Sequence, residues 1–274
     1  MPKRTVRTFC PTSTTRSPQA VSSSLVKSYL SEKMGVPARR IRNVSIMPCT
    51  AKKDEAARAQ LYTSNQPDTD VVITVRELIR LLRRNGIDLA KLDPEPFDNP
   101  YMSDSTGAAV IFGPTGGVME AAMRTAYKVI TGEEMEPVEL ESVRGMEGIR
   151  EAEVNFNGVL TLKVAVAHGL ANARKVCEMI RKGNPRGWNF IEIMACPGGC
   201  VNGGGQPINL DADTPRLRIE ALYRNDRNLP VRRSHDNPEI QALYRDFLSA
   251  PNSHKAHELL HTRYYEQYRS CRSK

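Results

Sequence analysis

The chain has 274 residues, of which 40% are hydrophobic and 26% are charged, and its formal net charge is +8. This length is enough for one large domain or two lobes with a real core, and no apolar stretch reaches the length of a membrane span. Aromatic residues make up only 6% and no basic block is interleaved with them, so a nucleic-acid partner is not expected.

The first part of the chain alternates helices with β-branched runs. Its predicted elements are, in order, an irregular stretch over 1–16, a helix over 19–35 that ends at Gly35 and Pro37, strands over 41–47 and 70–75, a helix over 76–86, and a polar, Pro-rich loop over 93–105.

The second part of the chain continues the alternation of strands and helices. Its predicted elements are a strand over 108–113, a glycine turn and a helix that ends at Gly132, strands over 138–145 and 151–169 with a hairpin turn at Asn157-Gly158, a helix over 170–183, a strand over 190–196, and a helical tail over 215–228, 238–249 and 253–266. Strands that alternate with helices predict an α/β fold.

The cysteines are scattered, and no secretory signal is expected near Met1, so a reducing compartment and metal or catalytic use are favoured over disulfides. The six cysteines are Cys10, Cys49, Cys177, Cys196, Cys200 and Cys271. Cys49 and Cys196 each follow a predicted strand, and Cys200 lies four residues after Cys196. Since ligands gather at the carboxyl ends of strands in open α/β sheets, we expect these three thiolates to converge.

Soft thiolates select iron–sulfur clusters, zinc or copper. Zinc sites usually use short-spaced pairs, whereas this chain has one close pair and a lone partner far earlier, in apolar surroundings that suit a buried cluster. Glycines at positions 198, 199, 203, 204 and 205 allow backbone N–H groups to approach a bulky anionic cofactor. Two unremarkable core thiols are the simpler alternative. Lys52 and Glu55 follow Cys49 closely, and alone they are typical of a solvated charge run.

Three segments together resemble the catalytic-domain motifs of the iron-only hydrogenases: "SIMPCTAKKDEA" (45–56), "AAVIFGPTGGVMEAAMR" (108–124) and "FIEIMACPGGCVNGGGQP" (190–207). "AHELLHTRYY" (256–265) is similar to the small-subunit-like tail of the same enzymes, and "VRGMEGIREAEV" and "RSHDNP" also resemble that family. The resemblance covers roughly residues 13 to 266. It implies a two-lobed α/β fold, with β-sheets flanked by helices, the cluster site between the lobes and a helical carboxyl-terminal tail.

The family's cofactor, the H-cluster, joins a 4Fe–4S cubane to a two-iron subcluster that carries CO, cyanide and a bridging dithiolate. By this resemblance Cys49 and Cys196 are cubane ligands, and Cys200 is the ligand shared by the cubane and the two-iron unit. Lys52 is expected to hydrogen-bond a cyanide. Glu55 and Ser13 resemble members of the proton-transfer path. The residues expected to line the two-iron pocket are Ser17, Gln19, Met47, Pro48, Phe112, Gly113 and Met194.

The chain departs from the family at one motif. Relatives carry an upstream T-S-C-C-P-x-W segment, which supplies the remaining cubane ligand and the proton-donating cysteine. Cys10 in "RTFCPTSTTRSPQ" lies too close to Ser17 to match it. We expect the chain to be an amino-terminally truncated form; half of a split enzyme, whose partner brings the motif, and a degenerate homologue are the alternatives.

The resemblance implies the reversible reaction of protons and electrons to H2. Without the proton-donating cysteine of the upstream motif, turnover is expected to collapse, so the chain is expected to be a fragment or inactive alone. It assigns residues 17–212 to the H-cluster domain of the large subunit, 213–266 to the small-subunit-like region and 267–274 to a tail. Expected partners are ferredoxin or another acidic electron carrier, H2 and protons, and maturation proteins that insert the cluster. Positive charge favours an acidic carrier, although a solvated helix face and loop is the simpler interpretation of the Arg-rich stretch 216–233. Cytoplasmic localisation is expected; the basic, Ser/Thr-rich first residues leave a hydrogenosome or other anaerobic organelle as the alternative.

Three other functions compete with a hydrogenase. "HELLH" (257–261) fits the H-E-x-x-H pattern of zinc proteases, with Glu258 as a base, but no obvious third ligand follows. A non-catalytic iron–sulfur-binding homologue would keep the fold without H2 chemistry. A plain electron-transfer protein would explain the cysteines but does not need Lys52, Glu55 or the glycine-rich segment.

Overall fold

The structure is a computed structural model that describes residues 13–63, 65–98, 101–208 and 211–263. The helices of these residues are α1 (Pro18–Leu25), α2 (Ser31–Met34), α3 (Ala51–Ala56), α4 (Val75–Arg84), α5 (Gly107–Val110), α6 (Gly117–Thr131), α7 (Leu170–Arg181), α8 (Thr214–Asn228), α9 (Pro238–Leu243) and α10 (His254–Leu260). The strands are β1 (Val44–Met47), β2 (Tyr62–Thr63), β3 (Gln66–Pro67), β4 (Val71–Thr74), β5 (Ile149–Asn155), β6 (Thr161–His168) and β7 (Phe190–Met194). Within the described ranges, no helix combines the length and apolar character needed to cross a bilayer.

The largest sheet has the order β5-β6-β7, with β6 antiparallel to β5 and parallel to β7. Alternate residues of β6 face opposite sides of this sheet. Val164 and Val166 join the buried core that includes Met119 and Met123 of α6, whereas Ala165 and Ala167 join a second core with Val176 of α7. A sheet packed between helices confirms the predicted α/β class.

Two smaller sheets pair β1 with β4 and β2 with β3. Cys49 follows β1, and Cys196 follows β7. The two strands belong to different sheets, so any convergence of the cysteines depends on the loops that follow the strands.

The described residues divide into two compact units. The larger unit comprises residues 46–50 and 73–242, and the smaller unit comprises residues 13–45, 51–72 and 243–263. The sheet β5-β6-β7 and helices α4 to α8 lie in the larger unit. Helices α1 to α3 and α10 lie in the smaller unit, where Tyr29 packs against Phe247 with ring centroids 5.2 Å apart.

Most predicted elements are present, including the hairpin, whose turn residues Asn157 and Gly158 both have positive φ. The strand predicted over 108–113 is wrong. These residues form the short helix α5, because the Thr106 hydroxyl accepts from the Ala109 N–H at 3.2 Å and caps a helical turn. Such a short apolar run shows too little periodicity to separate a strand from a helix.

The strand predicted over 138–145 is also wrong. Residues Glu141–Val143 form a 3₁₀ turn. Arg150 donates to the carbonyl oxygens of Val143 and Gly145, so these acceptors bond to a side chain instead of a neighbouring strand. The last predicted helix ends earlier than expected, at Leu260, and the part of that prediction beyond Arg263 lies outside the described residues.

Candidate functional site

Backbone packing between glycines and the residues before Cys49 joins two cysteine segments of the larger unit. Gly205 donates its N–H to the Pro48 carbonyl at 2.9 Å. A Cβ on Gly203 would lie 2.2 Å from the same oxygen, and one on Gly205 would lie 2.9 Å from the Cys49 nitrogen. Since real Cβ atoms do not approach backbone so closely, only glycine permits this contact.

Cys196 and Cys200 belong to one tight turn. The Gly199 N–H donates to the Cys196 carbonyl at 3.0 Å, and Cys200–Asn202 form a 3₁₀ turn directly after it. Gly199 has a φ of +95°, which favours glycine, and a Cβ there would lie 2.7 Å from the Gly113 carbonyl. This carbonyl accepts the Val201 N–H at 3.2 Å, so the turn is bonded to the loop before α6.

Cys49 and Cys196 are partly buried and Cys200 is exposed. A tetrahedral zinc ion with Zn–S bonds of about 2.3 Å holds its sulfur ligands only about 3.8 Å apart. Among the described residues, these three thiols do not form a set whose sulfur atoms all lie within 4.8 Å of one another. In this structure the three thiols are therefore not gathered for a single tetrahedral ion.

The donor set and the surrounding backbone fit an iron–sulfur cluster. Thiolate sulfur is the preferred ligand of such clusters, and a multi-iron group spreads its ligands over a larger span than a single ion. The glycine loop from Gly203 to Gly205 packs directly against the backbone of Pro48 and Cys49, which keeps the Cys49 and Cys200 segments close together. Cys49, Cys196 and Cys200 are therefore the residues that could hold it.

Several predicted pocket residues touch these loops. The Met194 sulfur lies 2.8 Å from where a Gly199 Cβ would stand, and the Met47 carbonyl lies 3.0 Å from where a Gly205 Cβ would stand. Phe112 packs against the core cluster that contains Val201, directly after Cys200. Met47, Pro48, Phe112, Gly113 and Met194 all belong to the larger unit, with the cysteines.

The smaller unit holds a short polar network around one carboxylate. Glu55 accepts from the Ser17 hydroxyl on one oxygen and from the Lys52 ammonium, at 2.6 Å, on the other. The two side chains of the ion pair are only 23% and 18% exposed. Ammonium has three donors, so Lys52 keeps donors beyond this pair.

The other predicted residues of the smaller unit are less closely joined to this network. Gln19 is buried; it donates to the Lys52 carbonyl at 3.3 Å and accepts from the Ser45 hydroxyl at 2.9 Å. Ser13 is exposed, and its hydroxyl accepts the Thr15 N–H at 3.2 Å. Cys10 lies outside the described residues.

Buried polar residues beneath the cysteine turn were not predicted. His168, at the end of β6, accepts the Gly198 N–H on Nδ1 at 3.0 Å, so its Nε2–H donates to the Met146 carbonyl at 3.1 Å. Glu192 of β7 accepts the Gly116 and Met119 N–H groups at 2.7 Å each and thereby caps α6. The signal in the sequence was a single charge within the apolar run "FIEIM".

Burial dominates the ionisation of these groups. Burial raises the pKa of Glu192, against the hydrogen bonds from α6 and the nearby Arg150. Burial also lowers the pKa of Arg150, which donates to the Thr115 carbonyl and hydroxyl. These groups hold the loop before α6, to which the cysteine turn is bonded.

The Arg-rich stretch 216–233 is only partly a solvated face. Arg218 donates to the Val201 and Pro207 carbonyls at 2.9 Å and 3.3 Å, so α8 holds both ends of the glycine loop. Asp226 is fully buried and accepts from Arg124 and Arg232. Arg216, Arg224 and Arg227 are exposed, as that interpretation predicts.

Comparison with known proteins connects this geometry to a family. Residues 4–204 match the family model of the iron only hydrogenase large subunit, C-terminal domain, and residues 213–267 match that of the iron hydrogenase small subunit. The chain belongs to the iron-only hydrogenase family. The expected resemblance is confirmed.

One relative of this chain is the NADP-reducing hydrogenase subunit HndD of Solidesulfovibrio fructosivorans. The two sequences are 46% identical over 258 residues, which cover 94% of this chain and 43% of HndD. Iron hydrogenase 1 of Clostridium pasteurianum is 40% identical and covers 92% of this chain and 44% of its own length. Cytosolic iron-sulfur assembly component 3 of Rattus norvegicus is 33% identical, with coverages of 92% and 53%. The chain thus spans about half the length of these relatives.

Solved structures agree with the family assignment. One similar structure is that of HydA(deltaEFG), which concerns stepwise assembly of the FeFe-hydrogenase H-cluster. It matches this chain with a TM-score of 0.77 and 42% sequence identity, and the match covers 92% of this chain and 70% of the HydA chain. An apo variant of the FeFe-hydrogenase HydA1 from Chlamydomonas reinhardtii has a TM-score of 0.78 at the same identity and coverage. The hydrogenase fold is therefore shared.

Proposed function

We propose that this chain is the cofactor-binding catalytic portion of an iron-only hydrogenase. The observation that carries the proposal is the glycine packing that joins the Cys49 segment to the turn of Cys196 and Cys200. When bound, the H-cluster supplies electron transfer through its cubane and the reversible interconversion of H2 with protons and electrons at its two-iron unit.

Each thiolate has a distinct proposed role. Cys49 and Cys196 would hold the cubane, and Cys200 would hold the cluster beside the two-iron unit. Met47, Pro48, Phe112, Gly113 and Met194 would line the cofactor pocket of the larger unit and exclude water. A cofactor role for Ser17 and Gln19 of the smaller unit rests on the family resemblance alone.

The network around Glu55 supports a proton-transfer role. Its carboxylate already accepts from Ser17 and Lys52, so a proton that reaches Ser17 has an acceptor in hydrogen-bond contact. Ser13 is exposed and serves as the entry of this path. Lys52 places a positive charge three residues after Cys49 and stabilises an anionic group of the cofactor.

The proposed partners are an acidic electron carrier such as ferredoxin and the proteins that insert the cluster. The net charge of +8 and the exposed Arg216, Arg224 and Arg227 of α8 favour an acidic partner. A cytoplasmic location is proposed with them.

A non-catalytic iron–sulfur-binding role is the second candidate. It is supported by the match to cytosolic iron-sulfur assembly component 3, which covers 92% of this chain. The identity of 33% is lower than the 40% and 46% found with the two hydrogenases, which favours the catalytic role.

The deciding experiment is anaerobic reconstitution with iron, sulfide and a synthetic two-iron complex, followed by infrared spectroscopy of bound CO and cyanide. Sharp bands that shift under H2 are expected. A bound cubane without these bands would favour the second candidate, and a chain that binds no cluster would contradict both.

Two cysteine variants make the experiment specific. Cys200→Ala should remove the CO and cyanide bands, because it deletes the shared ligand. Cys177→Ala, on α7 and outside the glycine packing, is the matched control and should keep them.

A further inference from the structure

Two histidines in the smaller unit stand side by side on α10. His257 and His261 are four residues apart, and their rings are parallel within 3° with centroids 4.6 Å apart. The His261 N–H donates to the His257 carbonyl at 3.2 Å, so the helical spacing is kept up to the end of the helix. Residues at i and i+4 share one helix face, where two imidazoles can reach one ion.

The ring of His261 is held in place from outside the helix. Its Nδ1 lies 2.8 Å from the Thr14 hydroxyl, and the Thr262 N–H donates to the Thr14 carbonyl at 2.7 Å. Arg16 also donates to the His261 carbonyl at 3.0 Å. With Nδ1–H donating to Thr14, the Nε2 lone pair of His261 is left for a ligand, which is the usual arrangement of a metal-binding histidine.

The surroundings of the pair favour a neutral His261 ring. Burial, followed by the neighbouring His257, lowers the pKa of His261, so this imidazole is uncharged at neutral pH. Arg16, which donates to the His261 carbonyl, is paired with the buried Asp68 at 3.2 Å. Glu258 is exposed on the same helix, and Lys255 lies over the Phe247 ring, 3.3 Å from its centroid.

We propose that His257 and His261 form a binding site for a divalent transition metal that prefers imidazole, such as Zn²⁺ or Ni²⁺. Metal–nitrogen bonds of about 2.0–2.1 Å require the two Nε2 atoms to lie no more than about 4.2 Å apart. The stacked rings do not yet point at one ion, so binding requires the exposed His257 ring to turn about χ1 and χ2 until both Nε2 lone pairs converge.

This site differs from the zinc-protease site that the HELLH pattern suggests. Within the described part of the chain, no third His, Cys, Asp or Glu groups with this pair as a ligand set. Water completes the coordination, and binding is weaker than at a site with three protein ligands. The inference does not depend on hydrogenase activity.

The test is an anaerobic calorimetric titration with zinc chloride of the chain loaded with its iron–sulfur cluster. The cluster is loaded first so that Cys49, Cys196 and Cys200 are occupied and do not bind zinc. Nitrogen NMR of the histidine rings identifies the ligands. We expect a binding event that shifts the ring nitrogens of His257 and His261, and the NMR signals of His235 separate it from any binding at Glu134, His235 and Asp236. We expect His257→Gln to abolish it, and Thr14→Val to weaken it about tenfold by releasing the ring of His261.

His254→Gln is the matched control, since His254 is also exposed and begins the same helix. The zinc affinity of this variant should differ from that of the parent by less than about twofold, which corresponds to less than about 0.5 kcal/mol. Equal zinc binding by the parent and His257→Gln, or equal losses in His254→Gln and His257→Gln, would overturn the proposed pair.

Discussion

Gly205 and Pro48 are joined by a backbone hydrogen bond of 2.9 Å, which connects the loop after Cys200 to the residue before Cys49. The two residues are far apart in the sequence and follow strands of different sheets. The convergence of the cysteine segments is therefore set by glycine loops. It should be sensitive to single added methyl groups in those loops.

Gly203→Ala tests this directly. Gly203 has a φ of −67°, which any residue adopts, so the cost comes only from a Cβ placed 2.2 Å from the Pro48 carbonyl. We expect a loss of about 1–3 kcal/mol in unfolding free energy and a reduced iron content after reconstitution. Gly204→Ala is the control, because its Cβ would meet only the Thr50 side chain, at 3.4 Å. Similar iron contents in the two variants would contradict the role of this packing.

Glu55→Gln should slow proton transfer while the cofactor still binds. The amide keeps an acceptor for Ser17 but can no longer take up a proton. Whatever H2 evolution the loaded chain shows with a chemical reductant should fall about a hundredfold, with the CO and cyanide bands retained. Asp54→Asn on the same helix removes only an exposed pair with Arg58 and should change the rate less than about twofold. Full activity of Glu55→Gln would exclude this carboxylate from the proton path.

Asp226 should make the fold sensitive to acid. Burial alone would raise its pKa, but hydrogen bonds from Arg124 and Arg232 bring the pKa of Asp226 below 3.8. Its stabilisation is therefore present above the unfolded value of 3.8 and is lost as the pH falls through the lower, folded value. Asp226→Asn leaves Arg124 with Glu120 as its remaining acidic partner and should cost about 1–3 kcal/mol at pH 7.

The measurement for Asp226 is denaturant unfolding of both proteins from pH 7 down to the acid limit. The difference between parent and variant should shrink below pH 3.8. A difference that stays constant over this range would show that the ionised carboxylate is not what stabilises the parent.

Tyr223→Phe should be neutral or stabilising by up to about 1 kcal/mol. The Tyr223 hydroxyl is buried and has no hydrogen-bond partner among the described residues, and burial raises its pKa, so the neutral form persists. The Tyr223 ring itself makes a cation–π contact, since the Arg144 guanidinium lies 4.1 Å from the ring centroid. Tyr223→Leu should therefore cost more than about 1 kcal/mol in thermal or denaturant unfolding. A large loss on Tyr223→Phe would point to a partner for the hydroxyl.

Local signals in the sequence predicted most elements, because glycine turns, caps and long periodic runs act over short distances. The hairpin at Asn157-Gly158 is an example, since both residues favour positive φ. The short run 108–113 was misassigned because the Thr106 cap, and not apolar periodicity, determines its conformation. The motifs also predicted the family correctly.

The supporting residues of the site were harder to predict. Glu192 and His168 act through backbone N–H groups that lie far away in the sequence, and no local pattern reveals such partners. Arg218 was counted within a basic stretch, although its donors bond to two carbonyls of the glycine loop. These roles depend on tertiary packing, which a single sequence does not encode in any short motif.

Arg218 also connects two segments of the chain, since it lies on α8 and its guanidinium donates to the loop after Cys200. It belongs to the segment that matches the small-subunit model, whereas Val201, whose carbonyl it binds, belongs to the segment that matches the large-subunit model. If these segments were separate polypeptides, association would have to precede ordering of the loop after Cys200. Carrying both on one chain removes that concentration dependence, so the cysteine loop can form at any dilution of the protein.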